Sequence, residues 1–473
     1  MKSKKIINIS LVLLFAVSAC KKSTLFEDPF NSISQDAAFS TADKVEKSAV
    51  GMYDALQNLN FFCGRILIYA DQRGIDEAPN SYFGNVGFLP NLTASDGTVG
   101  ASWRDGYNTI FVANNFLQNL QANISVVTPD KANQYVGEAK FIRALCYTYL
   151  VNLWAQPVNK TWSNTDTTTL GVPLVLTAAT DPFAASNQVA RAKVTDVYAQ
   201  IEADLLDAKS KLPAPSTTDA FTRVARANRS AALALLSRIY LYEGQWKKAS
   251  DYADSVMTYA PTLKLNTSPE LTFQSPYTTS ESIFSVAMNG ADNPNTNNSL
   301  GQHYGARARG DINISTDYVK LFDTLHDARY TKLMEIYNGL YWTKKYPGIT
   351  TDFVPVLRYS EILLTKAEAL ARLNTGAADV NALGYVNQVR TRSNALMPIV
   401  AATQPALIDS ILKERRIELA FEGHGIIEFQ RTGRTLPAHY GINALPWASQ
   451  RSVMPIPDYD IQKNPNLAPN PGY

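Results

Sequence analysis

Ten residues in three long polar stretches have the side chains needed to hold a saccharide. Tyr82, Phe83 and Phe88 fall within residues 71–100, which begin with Asp71 and Arg73. Tyr304 lies in the Asn-rich stretch 289–310, with Arg307 and Arg309 close behind it, and Tyr341 and Trp342 lie within 337–352. A sugar ring has hydroxyl edges and apolar CH faces. Aromatic faces set among amides and charged hydrogen-bonding groups therefore suit it, and no ionisable catalytic group is required. The same aromatics could instead pin their own loops, and arginines beside aromatics would also suit a peptide. A fourth polar stretch, 158–172, is rich in Asn, Thr and Asp.

Signals for other chemistries are thinner. In the run from Lys413 to Glu422, Glu414 and Glu418 are spaced i,i+4, and Arg415 is placed to pair with Glu418 or Glu422 along one helix. Two carboxylates could hydrolyse a glycoside, but only at a fixed separation across the bond. Helical ion pairing accounts for the pattern with fewer demands. His303, His326, His424 and His439 have no metal-ligand spacing, and Asp317, Asp323 and Asp327 do not spell a calcium loop. Nucleophile-elbow, phosphate-loop and dinucleotide motifs are missing from the sequence. The reading is therefore a binding protein with no catalytic residue, metal or cofactor. A net charge of +2 without a long basic run gives no electrostatic footprint for nucleic acid.

The elements that must position these loops are helical. Val45, Ala49, Met52, Tyr53 and Leu56 recur at three- and four-residue spacing behind Ser40 or Thr41 as a cap. Val197, Ile201, Leu205, Ala208 and Leu212 form a second stripe, stopped by Pro213. Similar patterns predict helices over 104–121, 135–154, 229–242, 246–259, 359–373, 377–391 and 405–422. Strand-like runs are few and short, such as Ile283–Ala287. Leu233, Leu236, Tyr240, Gly244, Ala249 and Pro261 have spacings close to a tetratricopeptide repeat, and 138–154 and 357–390 look like further helical hairpins. The expected fold is mainly α: degenerate tetratricopeptide-type hairpins against a loop-rich lobe with few short strands, the loop-rich insertions spanning about 265–352. Cys146 sits in an apolar helical pattern, so a buried thiol is expected there and not a bridge to Cys63.

The chain opens with Lys2, Lys4 and Lys5, then an apolar run to Ala19. That run is short for a bilayer span and has the charge layout of a secretory signal. It ends Val17-Ser18-Ala19-Cys20, small residues directly before a cysteine, with polar Lys21, Lys22 and Ser23 following. Residues 1–19 are read as a lipoprotein signal cleaved before Cys20, which is the expected lipidation site and membrane anchor. Residues 20–473 are read as one unit.

The far end carries the most specific pattern. It reads Glu414-Arg-Arg-Ile-Glu-Leu-Ala-Phe-Glu-Gly-His424, then Arg431-Thr-Gly-Arg434, then Arg451-Ser-Val-Met-Pro-Ile-Pro457, and closes on Asn464-Pro-Asn-Leu-Ala-Pro-Asn-Pro-Gly-Tyr473. A tail so rich in Pro cannot be helical and is ordered only along a preformed surface. Together with Leu357-Arg-Tyr-Ser-Glu-Ile-Leu-Leu-Thr-Lys-Ala-Glu-Ala-Leu370, Ala101–Ile110 and Gly137–Ala144, it resembles the SusD/RagB family of Bacteroidetes. The resemblance runs from end to end. It departs at Ala155-Gln156-Pro157, where relatives usually carry Gly, and at Gly425-Ile426-Ile427-Glu428. The resemblance implies an outer-membrane lipoprotein facing the cell surface and lying as a lid on a SusC-like TonB-dependent transporter. Such proteins capture oligosaccharides, or in some members peptides, and hand them on. A surface glycan-degrading enzyme and a repeat protein that only docks partners are the rival classes.

Overall fold

The computed structural model describes residues 34–158, 169–181, 183–295 and 297–473. The signal segment, Cys20 and most of the 158–172 stretch lie outside the described residues.

Helix α1 (Ala42–Leu56) starts where Thr41 accepts from the Lys44 N–H, and it buries Val45, Ala49, Met52 and Leu56. Helix α2 (Arg65–Gln72) is buried along nearly its whole length. The next two are longer than the apolar period predicts. Helix α3 (Gly97–Ala122) begins at an Asp96 cap, and α4 (Pro129–Trp154) begins at Thr128 with Pro129 in its first turn. The polar first turns carry no hydrophobic stripe, so the cap residues mark these starts and the period does not.

A short pair, β1 (Leu170–Pro173) and β2 (Arg191–Lys193), leads into α5 (Val194–Lys211), which ends just before Pro213. Helices α6 (Arg229–Tyr242) and α7 (Trp246–Tyr259) form the hairpin expected from the sequence. Gly244 turns the chain at φ +74°. The Ser237 hydroxyl donates to the Ala249 carbonyl at 2.9 Å, and Tyr240 stacks on Tyr252 at 5.2 Å. Such close contact needs small Ala249 on the facing helix.

Strand β3 (Ser282–Val286) precedes a short helix, α8 (Leu300–Tyr304), and the hairpin of β4 (Met334–Tyr337) and β5 (Leu340–Thr343). Strand β6 (Val354–Arg358) then pairs antiparallel with β3, both wholly buried. Residues 337–352 are thus not a plain loop. Asn338-Gly339, both at positive φ, make the tight turn that lets β4 and β5 pair. Helices α9 (Tyr359–Leu373), α10 (Val380–Ser393), α11 (Gln404–Leu419) and α12 (Gly425–Arg431) follow. Successive helices pack as neighbours: α3 on α4, α4 on α5, α6 on α7, α9 on α10. The main hydrophobic cluster takes residues from Phe39 to Leu467, and a smaller one joins α9, α10 and α11 through Leu363, Val386 and Ile411. Cys63 and Cys146 are free, buried thiols.

The charged run of α11 is structural, and its partners differ from those the spacing predicts. Arg415 does not pair with Glu418 or Glu422 along the helix. It reaches Glu428 at 3.1 Å and the Thr365 hydroxyl at 3.2 Å. Glu414 is held by Arg329 and Arg390, Glu418 by Arg329, Arg358 and Arg392, and Glu422 by Arg358 and Lys345. All three carboxylates are buried. Their cations come from the segments before α9 and from α10, which linear spacing could not reveal. The Pro-rich tail is seated as expected: Asn470 donates to the Trp154 and Met454 carbonyls, each at 2.7 Å.

Candidate functional site

Tyr82 sits in a single 3-10 turn, Ser81–Phe83, that Asn80 caps by accepting from the Tyr82 N–H at 2.6 Å. The Asn80 amide also donates to the Asp311 carbonyl, fastening this turn to the loop that carries the arginines. Tyr82 is 39% exposed. The Arg309 guanidinium covers its ring at 3.9 Å, donates to Asp311 at 2.6 Å and reaches Asn297 at 3.2 Å. Asp311 holds His303 as well, at 2.8 Å from Nδ1. Burial lowers the His303 pKa against the pull of Asp311, so the imidazole is neutral at pH 7.

A second stack lies on the same loop. Arg307 packs over Tyr337 at 4.9 Å and pairs with Glu335 on β4. Trp342 lies behind, 7% exposed, its indole N–H donating to the Tyr337 carbonyl at 3.2 Å. Gly310 links the two stacks. It has φ +64°, and a Cβ there would stand 3.4 Å from the Trp342 ring, so the backbone turns directly on that indole. Residue 314 ties the three segments together. Ile314 bridges Glu77 on one side and Tyr341 on the other, its N–H donating to the Tyr341 carbonyl at 2.8 Å.

Of the ten residues singled out in the sequence, Tyr82, Arg307 and Arg309 reach the surface of this strip, with Trp342 and half-buried Tyr341 behind them. Phe88 is half-buried in the neighbouring turn. The other four are interior. Phe83 packs between Tyr69 and His303. Tyr304 stacks on Tyr346 and donates its hydroxyl to buried Glu77. Arg73 is wholly buried and donates to the Arg451 carbonyl at 3.0 Å. Asp71 accepts from the Gly423 and Gly425 N–H groups at 2.7 and 2.8 Å. All four are buried, and Asp71 and Arg73 bond to the segments at 423–425 and 451. The spacing gave no hint of Asn80, Asn297, Asp311 or Tyr337. Tyr337 had a readable signal in the Asn-Gly turn beside it.

The strip offers aromatic and guanidinium surface with amide and carboxylate edges. Among the described residues, no group of three His, Cys, Asp or Glu could hold a metal ion. No described helix is long and apolar enough to cross a membrane. Residues 26–241 match the family described as starch-binding and associating with the outer membrane, and residues 241–473 match the SusD family. The chain belongs to the SusD/RagB family. It is 26% identical to SusD-like protein P2 of Formosa agariphila, over 98% of each chain. A SusD superfamily protein from Bacteroides fragilis has the same fold, with a TM-score of 0.78 and 27% identity over 91% of this chain and 99% of that one. A laminarin-binding SusD-like protein shares the fold at a TM-score of 0.71 and 21% identity, over 92% of this chain and all of the other. The SusD-like fold is mainly helical, as the sequence predicts.

Proposed function

We propose that the chain is a cell-surface lipoprotein, anchored through Cys20, that captures oligosaccharides and passes them to a SusC-like TonB-dependent transporter. The observation that carries the binding role is the exposed strip in which Arg309 covers Tyr82 and Arg307 covers Tyr337, with Trp342 behind. Family membership supports the outer-membrane setting and the transporter, and the laminarin-binding relative supports a glycan as ligand. Handover requires release, so dissociation constants are micromolar or weaker, about 8 kcal/mol or less in magnitude. The carboxylates that could have suggested hydrolysis, Glu414 and Glu418, are buried and ion-paired.

The test is a glycan array with a peptide panel alongside, on soluble protein beginning after Cys20, with Tyr82→Ala and Arg309→Ala as controls. Selective glycan binding that both variants lose supports the reading. Saturable peptide binding without a glycan signal moves the same lid role to peptides. Turnover of a bound oligosaccharide would replace binding with catalysis.

A further inference from the structure

A groove of about 560 Å³ is formed by α5, α6 and α7, and none of the residues of the Tyr82–Arg309 strip lines it. Ligand sites run from roughly 300 to 1,000 Å³, so this one has room for more than an ion. Leu233 of α6 is its buried apolar residue, and Ser210 of α5 and Tyr259 of α7 stand exposed. Lys209, Arg229, Tyr252 and Ser255 line it half-buried.

Two cations in this groove lack a counter-ion. Neither Lys209 nor Arg229 has a carboxylate within ion-pair distance among the described residues. Each is held by a tyrosine of α7 instead. The Lys209 ammonium lies 4.9 Å from the Tyr252 ring centre and donates to its hydroxyl at 3.0 Å, and the Arg229 guanidinium lies 5.3 Å from the Tyr259 ring centre. Such stacking positions a cation without neutralising it. Arg229 Nη2 donates to the Leu212 carbonyl at 3.4 Å and its Nε is buried, which leaves Nη1 as an unpartnered donor that is not buried. The nearby carboxylates are taken. Lys247 donates to both oxygens of Asp251, at 2.5 and 2.7 Å, and Asp207 is shared by Lys140 and Lys211.

The two serines add the opposite requirement. Ser210 donates its proton to the Asp207 carbonyl at 2.7 Å, and Ser255 donates to the Asp251 carbonyl at 2.9 Å. A hydroxyl has one proton and two lone pairs, so both side chains can offer a ligand acceptors only. A bare anion would satisfy the cations and leave these acceptors unmatched. The lining therefore suits a molecule that carries an anionic group and hydroxyl donors together.

We infer that this groove binds a sugar acid, a pyranose whose carboxylate meets Lys209 and Arg229 and whose hydroxyls donate to Ser210 and Ser255. The ammonium and the Nη1 N–H groups supply charge-assisted hydrogen bonds to the carboxylate. The apolar CH face of the ring lies against Leu233 and Tyr259. This is a second site. It shares no residue with the Tyr82–Arg309 strip and stands whether or not that strip binds glycan.

The probes are methyl glucuronoside, methyl glucoside and cyclohexanecarboxylate, titrated by ligand-observed NMR against the soluble chain after Cys20. The glucuronoside should saturate. The neutral glycoside, which lacks the charge, and the plain acid, which lacks the hydroxyls, should each bind at least fivefold more weakly. Lys209→Gln and Arg229→Gln should each weaken glucuronoside binding at least fivefold. Ser210→Ala, an exposed change, should weaken the glucuronoside and leave cyclohexanecarboxylate as it was, which keeps the test open even if a cation variant does not fold. Tyr82→Ala should change nothing. Four results would each overturn the inference: no saturation by the glucuronoside, equal binding of the glucoside, equal binding of the plain acid, or loss of binding in Tyr82→Ala with none in Lys209→Gln.

Discussion

The guanidinium carbon of Arg309 stands 3.9 Å from the centre of the Tyr82 ring, while its Nε donates to Asp311. The arginine is fixed from two sides, so the surface proposed to meet a ligand is ordered before binding. Little side-chain entropy is then lost on capture.

Tyr82→Ala removes the ring under that arginine. An exposed cation–π contact is worth about 0.5–1 kcal/mol, and loss of direct ligand contact adds to it. The expected result is about a tenfold weaker glycan affinity by calorimetry, with a thermal midpoint within a degree or two of the parent. Asp311→Asn should weaken the same affinity through Arg309, with Arg309→Ala adding little to it in the double variant.

Tyr304 tests the opposite case. Its ring is buried and its hydroxyl is a donor to Glu77. Tyr304→Ala should cost about 3–5 kcal/mol in urea unfolding, and Tyr304→Phe about 1–3 kcal/mol because Glu77 loses a partner. Under conditions where it remains folded, Tyr304→Phe should keep glycan affinity within about twofold.

These two tyrosines also mark what the sequence could and could not say. Helices were legible because Thr41, Pro213 and Gly244 punctuate a regular apolar period, and 229–242, 246–259 and 359–373 come out to the residue. Loops have no period, so nothing in the spacing separates exposed Tyr82 from buried Tyr304, or says that Asp71 faces α12. The partners of Glu414, Glu418 and Glu422 were hidden for a related reason. They are set by how α10 and the strands before α9 pack on α11, a tertiary fact. The β4–β5 hairpin was readable in Asn338-Gly339 flanked by Ile336-Tyr337 and Leu340-Tyr341-Trp342, a pattern of strand formers around a tight turn.

Glu418 is held well below the ordinary glutamate range: burial pushes it up, and Arg392, Arg358 and Arg329 more than offset that. A carboxylate depressed in the folded state adds stability above its unfolded pKa, near 4.3, and loses it as pH falls below that. Glu418→Gln should therefore cost about 3–5 kcal/mol at pH 7 by leaving arginines unpaired, and less at pH 3–4. Because the group is buried, 0.5 M NaCl should change the pH 7 difference little.

Asp71 has the opposite sign. Burial raises its carboxyl to about 7, with the Gly425 and Gly423 N–H groups only partly offsetting it. An unfolded aspartate titrates near 3.9. Between those values the folded state holds a proton that the unfolded state has released, so this group's contribution to stability falls as pH rises. Comparing urea midpoints at pH 5 and pH 8, the parent should lose more stability than Asp71→Asn. Over that interval the difference is at most about 3 kcal/mol. Equal slopes in the two proteins would refute the shift.

Both buried thiols should resist alkylation in the native protein. Burial raises Cys63 to about 12 and Cys146 higher still. Iodoacetamide should label neither at pH 8 without denaturant, and both in 6 M guanidinium, as read by mass spectrometry.

The hydrogen bonds from Gly423 and Gly425 to Asp71, and the Arg416–Asp76 pair, join segments about 350 residues apart along the chain. Closing so long a loop carries an entropic cost that no local contact offsets in advance, and such pairings form late in folding. The junction of α2 with α11 and α12 is therefore built from two segments that neither half of the polypeptide contains together. A chain cut near the middle would leave each half with only part of the hydrophobic cluster that runs from Phe39 to Leu467.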